Sequence, residues 1–140
     1  MEVVGISRKV LELMRNYWDM EDREIIDEIM VQLNHFTFRR SSMSYQYLID
    51  AIYIVVKDRN TMRDLKRYVY FPIAQRYNTR PENVQWTLSK LIDLMYINTP
   101  SEVIYDYFKF YMDEKPTLKF FIISVARNVY EGIHDKYIYY

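Results

Sequence analysis

The sequence predicts an all-α domain built around a helix-turn-helix, for three reasons. Only two glycines and four prolines occur in 140 residues, so chain breakers are too sparse for many hairpins. Apolar residues recur at intervals of three and four along most of the chain, which is typical of amphipathic helices. Half of the residues are hydrophobic, enough to form the core of one domain. We therefore expect about seven helices in one domain spanning residues 1–140.

Two helices are expected before residue 35. The apolar spacing predicts a first helix over 6–18, so that residues 1–20 form a separable N-terminal helix that could serve as a dimerisation arm. Asp19 is a candidate cap for a second helix near 20–34, whose acidic first turn suits the helix dipole. Glu24, Asp27 and Glu28 are expected on its solvent side. Its inward stripe is Ile25, Ile26, Ile29, Met30 and Leu33.

The middle of the chain predicts three further helices. Ser42 or Ser44 is expected to start a helix through "YQYLIDAIYIVVKD". A fourth helix is expected over 61–70. Pro72 should end it and open a short helix over 72–77, because proline is tolerated in a first turn but not inside a helix.

Two T-x-x-E patterns predict capping boxes in the C-terminal half. Thr79 with Glu82 would start a helix that runs to about Met95, and Thr99 with Glu102 one that runs to about Met112. Thr117 is expected to start the last helix, which ends near Gly132 and leaves a tail.

The segment 72–95 has the register of a DNA-binding helix-turn-helix. Ala74 is a small residue where two helices would cross, and Asn78 lies four residues later, where the turn needs positive φ. Val84 follows six residues after Asn78, on the inner face of the second helix. The alternative is a helical pair that only fills a core.

Polar residues on the outer face of that second helix are expected to contact base edges. Asparagine and glutamine pair with adenine, and lysine donates to guanine. Trp86 would touch a thymine methyl or the groove wall; alternatively, it packs against another helix or a second subunit. The expected base-reading residues are Glu82, Asn83, Gln85, Trp86, Ser89 and Lys90.

The basic charge lies in the middle of the chain. The total net charge is zero, but residues 35–97 hold ten basic and five acidic side chains, a net charge of +5. A local basic face is what nucleic-acid binding requires. An ordinary solvated surface would also fit these charges. The expected phosphate contacts are Arg39, Arg40, Lys66, Arg67, Arg76 and Arg80.

Several function classes are not expected. The chain has no cysteine and two histidines, which leaves too few ligands for a zinc site, and it has no glycine-rich phosphate loop. We therefore expect no enzyme activity, metal or cofactor. No apolar run approaches the roughly 20 residues that span a bilayer, so no membrane segment is expected. The lack of cysteine suits a cytoplasmic location.

Three blocks of sequence resemble a known family. They are "YLIDAIYIVVKD" (47–58), "IAQRYNT" (73–79) and "KPT" (115–117) followed by "FIISVA" (121–126). In this order and spacing they resemble the C-terminal effector domain of stage zero sporulation protein A, over about residues 24–131. The resemblance implies an all-α domain that binds promoter boxes, often as paired molecules, and contacts RNA polymerase sigma factor through a region that here would be 97–112.

The chain also departs from that family's pattern. The family typically has arginines at the positions of Asn83, Trp86 and Ser89, and none is kept. Residues 1–35 are too short for the receiver domain that precedes the family's effector domain.

We therefore interpret the sequence as a cytoplasmic, sequence-specific DNA-binding transcriptional regulator in sporulation, with the recognition helix 81–95 in the major groove of double-stranded DNA. Sigma factor and a homodimer are further expected partners. The alternative is a protein-interaction module or adaptor that keeps the fold and lacks specific DNA readout.

Overall fold

The computed structural model describes residues 2–3, 6–7, 20–109 and 114–138. A two-residue strand β1 (Glu2–Val3) pairs antiparallel with β2 (Ile6–Ser7). The all-α class is confirmed, but the described part of the chain holds six α-helices instead of about seven. They are α1 (Met20–Leu33), α2 (Met43–Lys57), α3 (Phe71–Tyr77), α4 (Pro81–Asn98), α5 (Ser101–Phe108) and α6 (Leu118–Ile138).

The N-terminal helix expected over 6–18 is wrong at its start, because Ile6 and Ser7 belong to β2. Residues 8–19, with the expected cap Asp19, lie outside the described residues. A separable N-terminal segment and a single domain over 1–140 therefore stay predictions.

The core lies where α1, α2 and α6 pack together, and α4 packs on another side of α2. Ile29 of α1, Leu48 and Ile52 of α2, and Phe121 of α6 are fully buried. Met30, expected inward, is 42% exposed, so that expectation is wrong. None of the helices in the described ranges is both long and apolar enough to cross a bilayer.

The last helix continues past the glycine that was expected to end it. A Cβ atom at position 132 would lie 3.2 Å from Oε1 of Glu28 on α1. Glycine therefore allows a close approach of α6 to α1 and does not act as a stop signal. Glu28 itself is buried and accepts a hydrogen bond from Gln32, contrary to the solvent-facing position expected for it.

Two short helical segments replace the α-helix expected over 61–70. The first is wound more tightly than an α-helix and the second more widely. Arg59–Arg63 forms a 3-10 helix capped by the Asp58 carboxylate, which accepts from the N–H of Asn60. Lys66–Tyr70 then forms a π-helical turn that leads directly into α3. The short helix expected over 72–77, with Pro72 in its first turn, is confirmed as α3. The expected interruption of the chain at Pro72 is wrong, because the π turn and α3 are continuous. Proline has no N–H and its ring clashes with the carbonyl four residues back; the wider π turn accommodates both effects. The loss of an α-helix over 61–70 lowers the number of α-helices. Most of the helix expected over 6–18 lies outside the described residues and is not counted.

Two of the expected helix starts are confirmed. Ser42 is the N-cap of α2, and its Oγ accepts from the N–H of Tyr45 at 3.2 Å. Thr117 precedes α6, and its Oγ1 accepts from the N–H of Phe120 at 3.1 Å.

Both T-x-x-E capping boxes are wrong. The helix α4 has Arg80 at its N-cap and no side-chain cap, which puts Asn83 and not Glu82 at the third helical position. Thr99 lies one residue before the N-cap of α5, and its Oγ1 accepts instead from the N–H of Thr37 at 3.0 Å. The helix α5 ends at Phe108, before the expected end at Met112, because Lys109 adopts a left-handed conformation with φ of 68°. Residues 110–113 lie outside the described residues.

Candidate nucleic-acid interface

The turn between α3 and α4 has the predicted left-handed residue. Asn78 has φ of 57° and ψ of 51°. The backbone N–H groups of Asn78 and Thr79 both donate to the carbonyl oxygen of Ala74, which closes the end of α3. Ala74 is 1% exposed, which fits a small residue at a helix crossing. The turn expected of a helix-turn-helix is therefore present.

The inner face of α4 is apolar and buried. Val84 and Leu88 are fully buried, and three further residues at helical spacing continue the stripe: Leu91, Ile92 and Met95. This stripe seats α4 against α2 and the π turn, so the opposite face of α4 is presented outward.

Most of the expected base-reading residues lie on that outward face. Glu82, Asn83, Gln85, Trp86 and Lys90 are exposed, and Ser89 is half-buried. Trp86 is 64% exposed, so the alternative that it packs against another helix of this chain is wrong for the described residues. The Nζ atom of Lys90 lies 5.6 Å from the centre of the Trp86 ring, within the range of a cation-π contact.

A basic rim borders the N-terminal end of α4. Lys66 and Arg67 line a recess of about 310 Å³ together with Asp64 and with Pro81, the first residue of α4. Lys66 Nζ also pairs with Glu82 Oε1 at 3.1 Å. The pKa of Glu82 is lowered, first by a hydrogen bond from its own backbone N–H and then by Lys66. Two carboxylates, those of Asp64 and Glu82, therefore lie among the basic groups of this rim.

The other expected phosphate contacts are placed differently. Arg80 is exposed at the N-cap of α4, next to the rim. Arg39 and Arg40 are exposed in the connection between α1 and α2. Arg76 is turned inward: its side chain is only 14% exposed, and its Nη1 lies 3.6 Å from Oδ1 of Asp50.

Sequence reasoning missed two features of this region. The first is Asp50, a buried carboxylate of α2 that faces the last turn of α3. The sequence signal for it is a single acidic residue within the apolar run "YLIDAIYIVV", which indicates a buried carboxylate. The second is that Leu94 and Ile97, on the C-terminal half of α4, are 57% and 74% exposed. The helical period of α4 already places both residues outside the buried apolar stripe, so their exposure could have been predicted from the sequence.

A family model described as "Sporulation initiation factor Spo0A C terminal" matches residues 26–129. The match covers well over half of the 140 residues. The chain belongs to the Spo0A C-terminal family. It is thus a member of a family of DNA-binding effector domains from a sporulation transcription factor, which is not an enzyme family. No curated protein sequence gave a significant match to the chain.

The Spo0A C-terminal match contains the whole candidate interface. It begins within α1 and ends within α6, so it includes α2, the turn at Asn78 and the full length of α4. The resemblance seen in the three sequence blocks is therefore confirmed over nearly the same range.

Proposed function

We propose that this chain is a sequence-specific, DNA-binding regulator of transcription that acts in the cytoplasm, with α4 in the major groove. The observation that carries the proposal is the division of α4 into two faces. One face is fully buried at Val84 and Leu88. The other presents exposed polar and aromatic side chains after a left-handed helix-turn-helix turn at Asn78. A helix held in this way can lay its outer face against base edges.

Each outer residue has a chemical role in this proposal. The amides of Asn83 and Gln85 pair with adenine, Lys90 donates to guanine, and Glu82 accepts from the cytosine amine. Trp86 contacts a thymine methyl while its ring stays next to the Lys90 ammonium. Ser89 is half-buried, so its hydroxyl can form a hydrogen bond only to a base edge that lies close to α4.

The phosphate contacts begin with the rim at the start of α4. Lys66, Arg67 and Arg80 are all exposed there, and the helix N-terminus adds a favourable dipole for a phosphate. Arg39 and Arg40 would extend the contact along the backbone. Arg76 can reach a phosphate only by leaving Asp50, so its contribution as a direct contact is smaller than that of the exposed groups.

The direct experiment is selection from a random-sequence duplex pool, followed by sequencing of the bound fraction. The proposal expects one enriched motif whose length matches the reach of one recognition helix or of two copies in tandem. Enrichment that is lost in the variant Gln85→Ala with Lys90→Ala would assign the motif to the face of α4. If the protein retained duplex DNA from the pool but no sequence motif were enriched, specific readout would be contradicted.

A second candidate function is a protein-interaction module that keeps the fold. The observation in its favour is a line of exposed apolar side chains along α4 at Trp86, Leu94 and Ile97. Apolar side chains aligned on one helix face are common where a partner docks. A pool selection that enriches no motif at low salt would favour this candidate.

Two partners follow from the regulator proposal. A homodimer would allow two copies to bind tandem boxes. The sigma factor of RNA polymerase would contact the region that the family resemblance places at 97–112. The described part of that region supports a contact surface, because Ile97 is 74% exposed and Tyr105 is 41% exposed. Sedimentation with and without duplex DNA tests the first partner, and binding of a purified sigma factor to the DNA complex tests the second.

A further inference from the structure

A buried carboxylate lies where the helix-turn-helix meets α2. Asp50 is 6% exposed. Its Oδ1 accepts from Nε2 of Gln46 at 3.1 Å, and its Oδ2 accepts from the hydroxyl of Tyr77 at 2.8 Å. Nη1 of Arg76 lies 3.6 Å from Oδ1. A carboxylate is costly to bury unless such donors surround it, so this group is held in place by three neighbours.

Two of those three neighbours come from the last turn of α3. Arg76 and Tyr77 immediately precede Asn78, the residue that turns the chain into α4. The ring of Tyr77 also packs against that of Tyr47 on α2, with centroids 5.0 Å apart. The end of α3 is therefore fixed to α2 by an ion pair, a hydrogen bond and a ring contact just before the recognition helix begins.

This arrangement is not the one that stability alone would favour. The Nε atom of Arg76 is buried and has no hydrogen-bond partner among the described residues. An unsatisfied buried donor destabilises a fold. Departures of this kind occur most often where function sets the geometry. Here the guanidinium is kept over the Tyr77 ring, at 5.4 Å, and against Asp50.

We propose that Asp50 is a positioning residue for DNA binding, which fixes the orientation of the helix-turn-helix on α2 so that α4 is presented ready for the groove. This inference rests on the proposed function for its DNA readout, although the orientation itself can be measured without DNA. Asp50 does not touch DNA in this account; it acts through Arg76 and Tyr77.

Replacing the carboxylate by an amide tests this role. All three neighbours of Asp50 present hydrogen-bond donors to it. In Asp50→Asn the new NH2 group must face at least one of those donors, so one contact becomes repulsive. The end of α3 is then free to shift, and the fraction of molecules with α4 correctly oriented falls. Because the apparent Kd rises as the reciprocal of that fraction, a competent fraction of about a tenth weakens binding about tenfold.

The matched control is Asp22→Asn. Asp22 is also a buried carboxylate, 9% exposed, and it accepts from the Tyr53 hydroxyl at 2.6 Å and pairs with Lys57 at 3.2 Å. Through Tyr53 and Lys57, Asp22 joins α1 to α2, and it lies outside the helix-turn-helix. The substitution Asp22→Asn therefore changes a buried carboxylate in the same way on a different pair of helices. Tyr77→Phe, which deletes only the hydroxyl bond, is a milder second variant that keeps the test open if Asp50→Asn does not fold.

Three readouts are compared among these variants: affinity for a duplex from the selected pool, urea unfolding, and amide hydrogen exchange over residues 73–88. We expect Asp50→Asn to weaken DNA binding about tenfold and to speed exchange over 73–88. We expect Tyr77→Phe to do the same to a smaller degree, and Asp22→Asn to lower stability with little change in either property.

Equal losses of affinity in Asp50→Asn and Asp22→Asn would overturn the inference, because the role of Asp50 would then be general stability. Unchanged affinity and unchanged exchange over 73–88 in Asp50→Asn and Tyr77→Phe would also overturn it. If the wild-type protein binds no duplex, the proposed function fails. The exchange comparison then still decides whether Asp50 fixes the orientation of the helix-turn-helix.

Discussion

At the scale of single residues, the outer face of α4 makes the clearest prediction. Gln85 and Lys90 are both exposed and on the side away from the buried stripe. Replacing both by alanine should remove base discrimination of about 1–3 kcal/mol for each lost contact. The thermal stability should be unchanged, because neither side chain packs in the core. Competition binding between the selected box and a scrambled duplex measures the effect.

Lys119→Ala is the control for that variant, since Lys119 is an exposed lysine of α6 outside the helix-turn-helix. It removes one positive charge without touching the proposed reading face. If it lowered the box preference as much as the double variant, the assignment of the reading face would be wrong.

A second residue-scale prediction concerns the pH dependence of stability. Burial raises the pKa of Asp50 above 3.8, against the opposing effects of the Arg76 guanidinium and of the bonds from Tyr77 and Gln46. Between 3.8 and the raised value, the folded state holds more protons than the unfolded state, so the free energy of unfolding falls as pH rises. The wild-type protein should therefore lose stability relative to Asp50→Asn as pH rises through this range.

Urea unfolding of both proteins at about pH 4 and about pH 7 measures that difference. The advantage of the wild type should be larger at the acidic end. An advantage that grows towards neutral pH would show that the Arg76 pairing outweighs burial at Asp50.

At the scale of elements, the turn at Asn78 sets how α3 leads into α4. Its φ of 57° is left-handed, which costs an alanine about 1–2 kcal/mol and costs a glycine little. Asn78→Ala should lower the free energy of unfolding by about 1 kcal/mol, whereas Asn78→Gly should stay close to the wild type. Equal stability of the alanine and glycine variants in urea unfolding would contradict a strained turn.

The contact between α1 and α6 makes another element-scale prediction. Alanine is a better helix former than glycine by about 1 kcal/mol, so Gly132→Ala would stabilise an isolated helix. In this fold the added Cβ lies 3.2 Å from the Glu28 carboxylate, which is buried and bonded to Gln32. We expect the crowding to prevail and the free energy of unfolding to fall by about 1 kcal/mol.

A double variant separates the two effects at position 132. Glu28→Asp shortens the opposing side chain, so adding Gly132→Ala to it should cost less than adding it to the wild type. A Gly132→Ala variant that is more stable than the wild type would show that Glu28 moves aside freely.

The comparison of sequence with structure shows what local patterns determine. The helical period placed α2 correctly, because Leu48, Ile52 and Val55 repeat at the spacing of one helix face, and all three are buried. The turn at Asn78 was also predictable, since few residue types tolerate positive φ. Gly132 and Thr99 were misread, because their roles depend on Glu28 and Thr37, which are distant in sequence and close in space.

The candidate site was likewise predictable only in part. The exposed positions of α4 follow from its apolar stripe, so five of the expected base-reading residues lie on the outer face. The inward turn of Arg76 did not follow from the sequence, because it depends on the position of Asp50 one helix away.

At the scale of the whole molecule, the charge distribution predicts how binding responds to salt. The basic groups near α4 include Lys66, whose ammonium is shared with Glu82 at 3.1 Å. If Lys66 contacts a phosphate in the complex, Lys66→Ala should reduce the slope of log K against log salt by about one, for box and non-box duplexes alike. A slope equal to that of the wild type would leave Lys66 as a partner of Glu82 only.

We propose that this member of the Spo0A C-terminal family reads DNA sequence through α4. Fluorescence anisotropy with the selected box and with a scrambled duplex, at about 50 mM and about 200 mM salt, tests it most directly. We expect binding that weakens steeply with salt and a box affinity at least about a thousandfold above that of the scrambled duplex. Equal affinity for both duplexes, or no binding at the lower salt, would contradict it and favour a protein partner on the face of Trp86, Leu94 and Ile97.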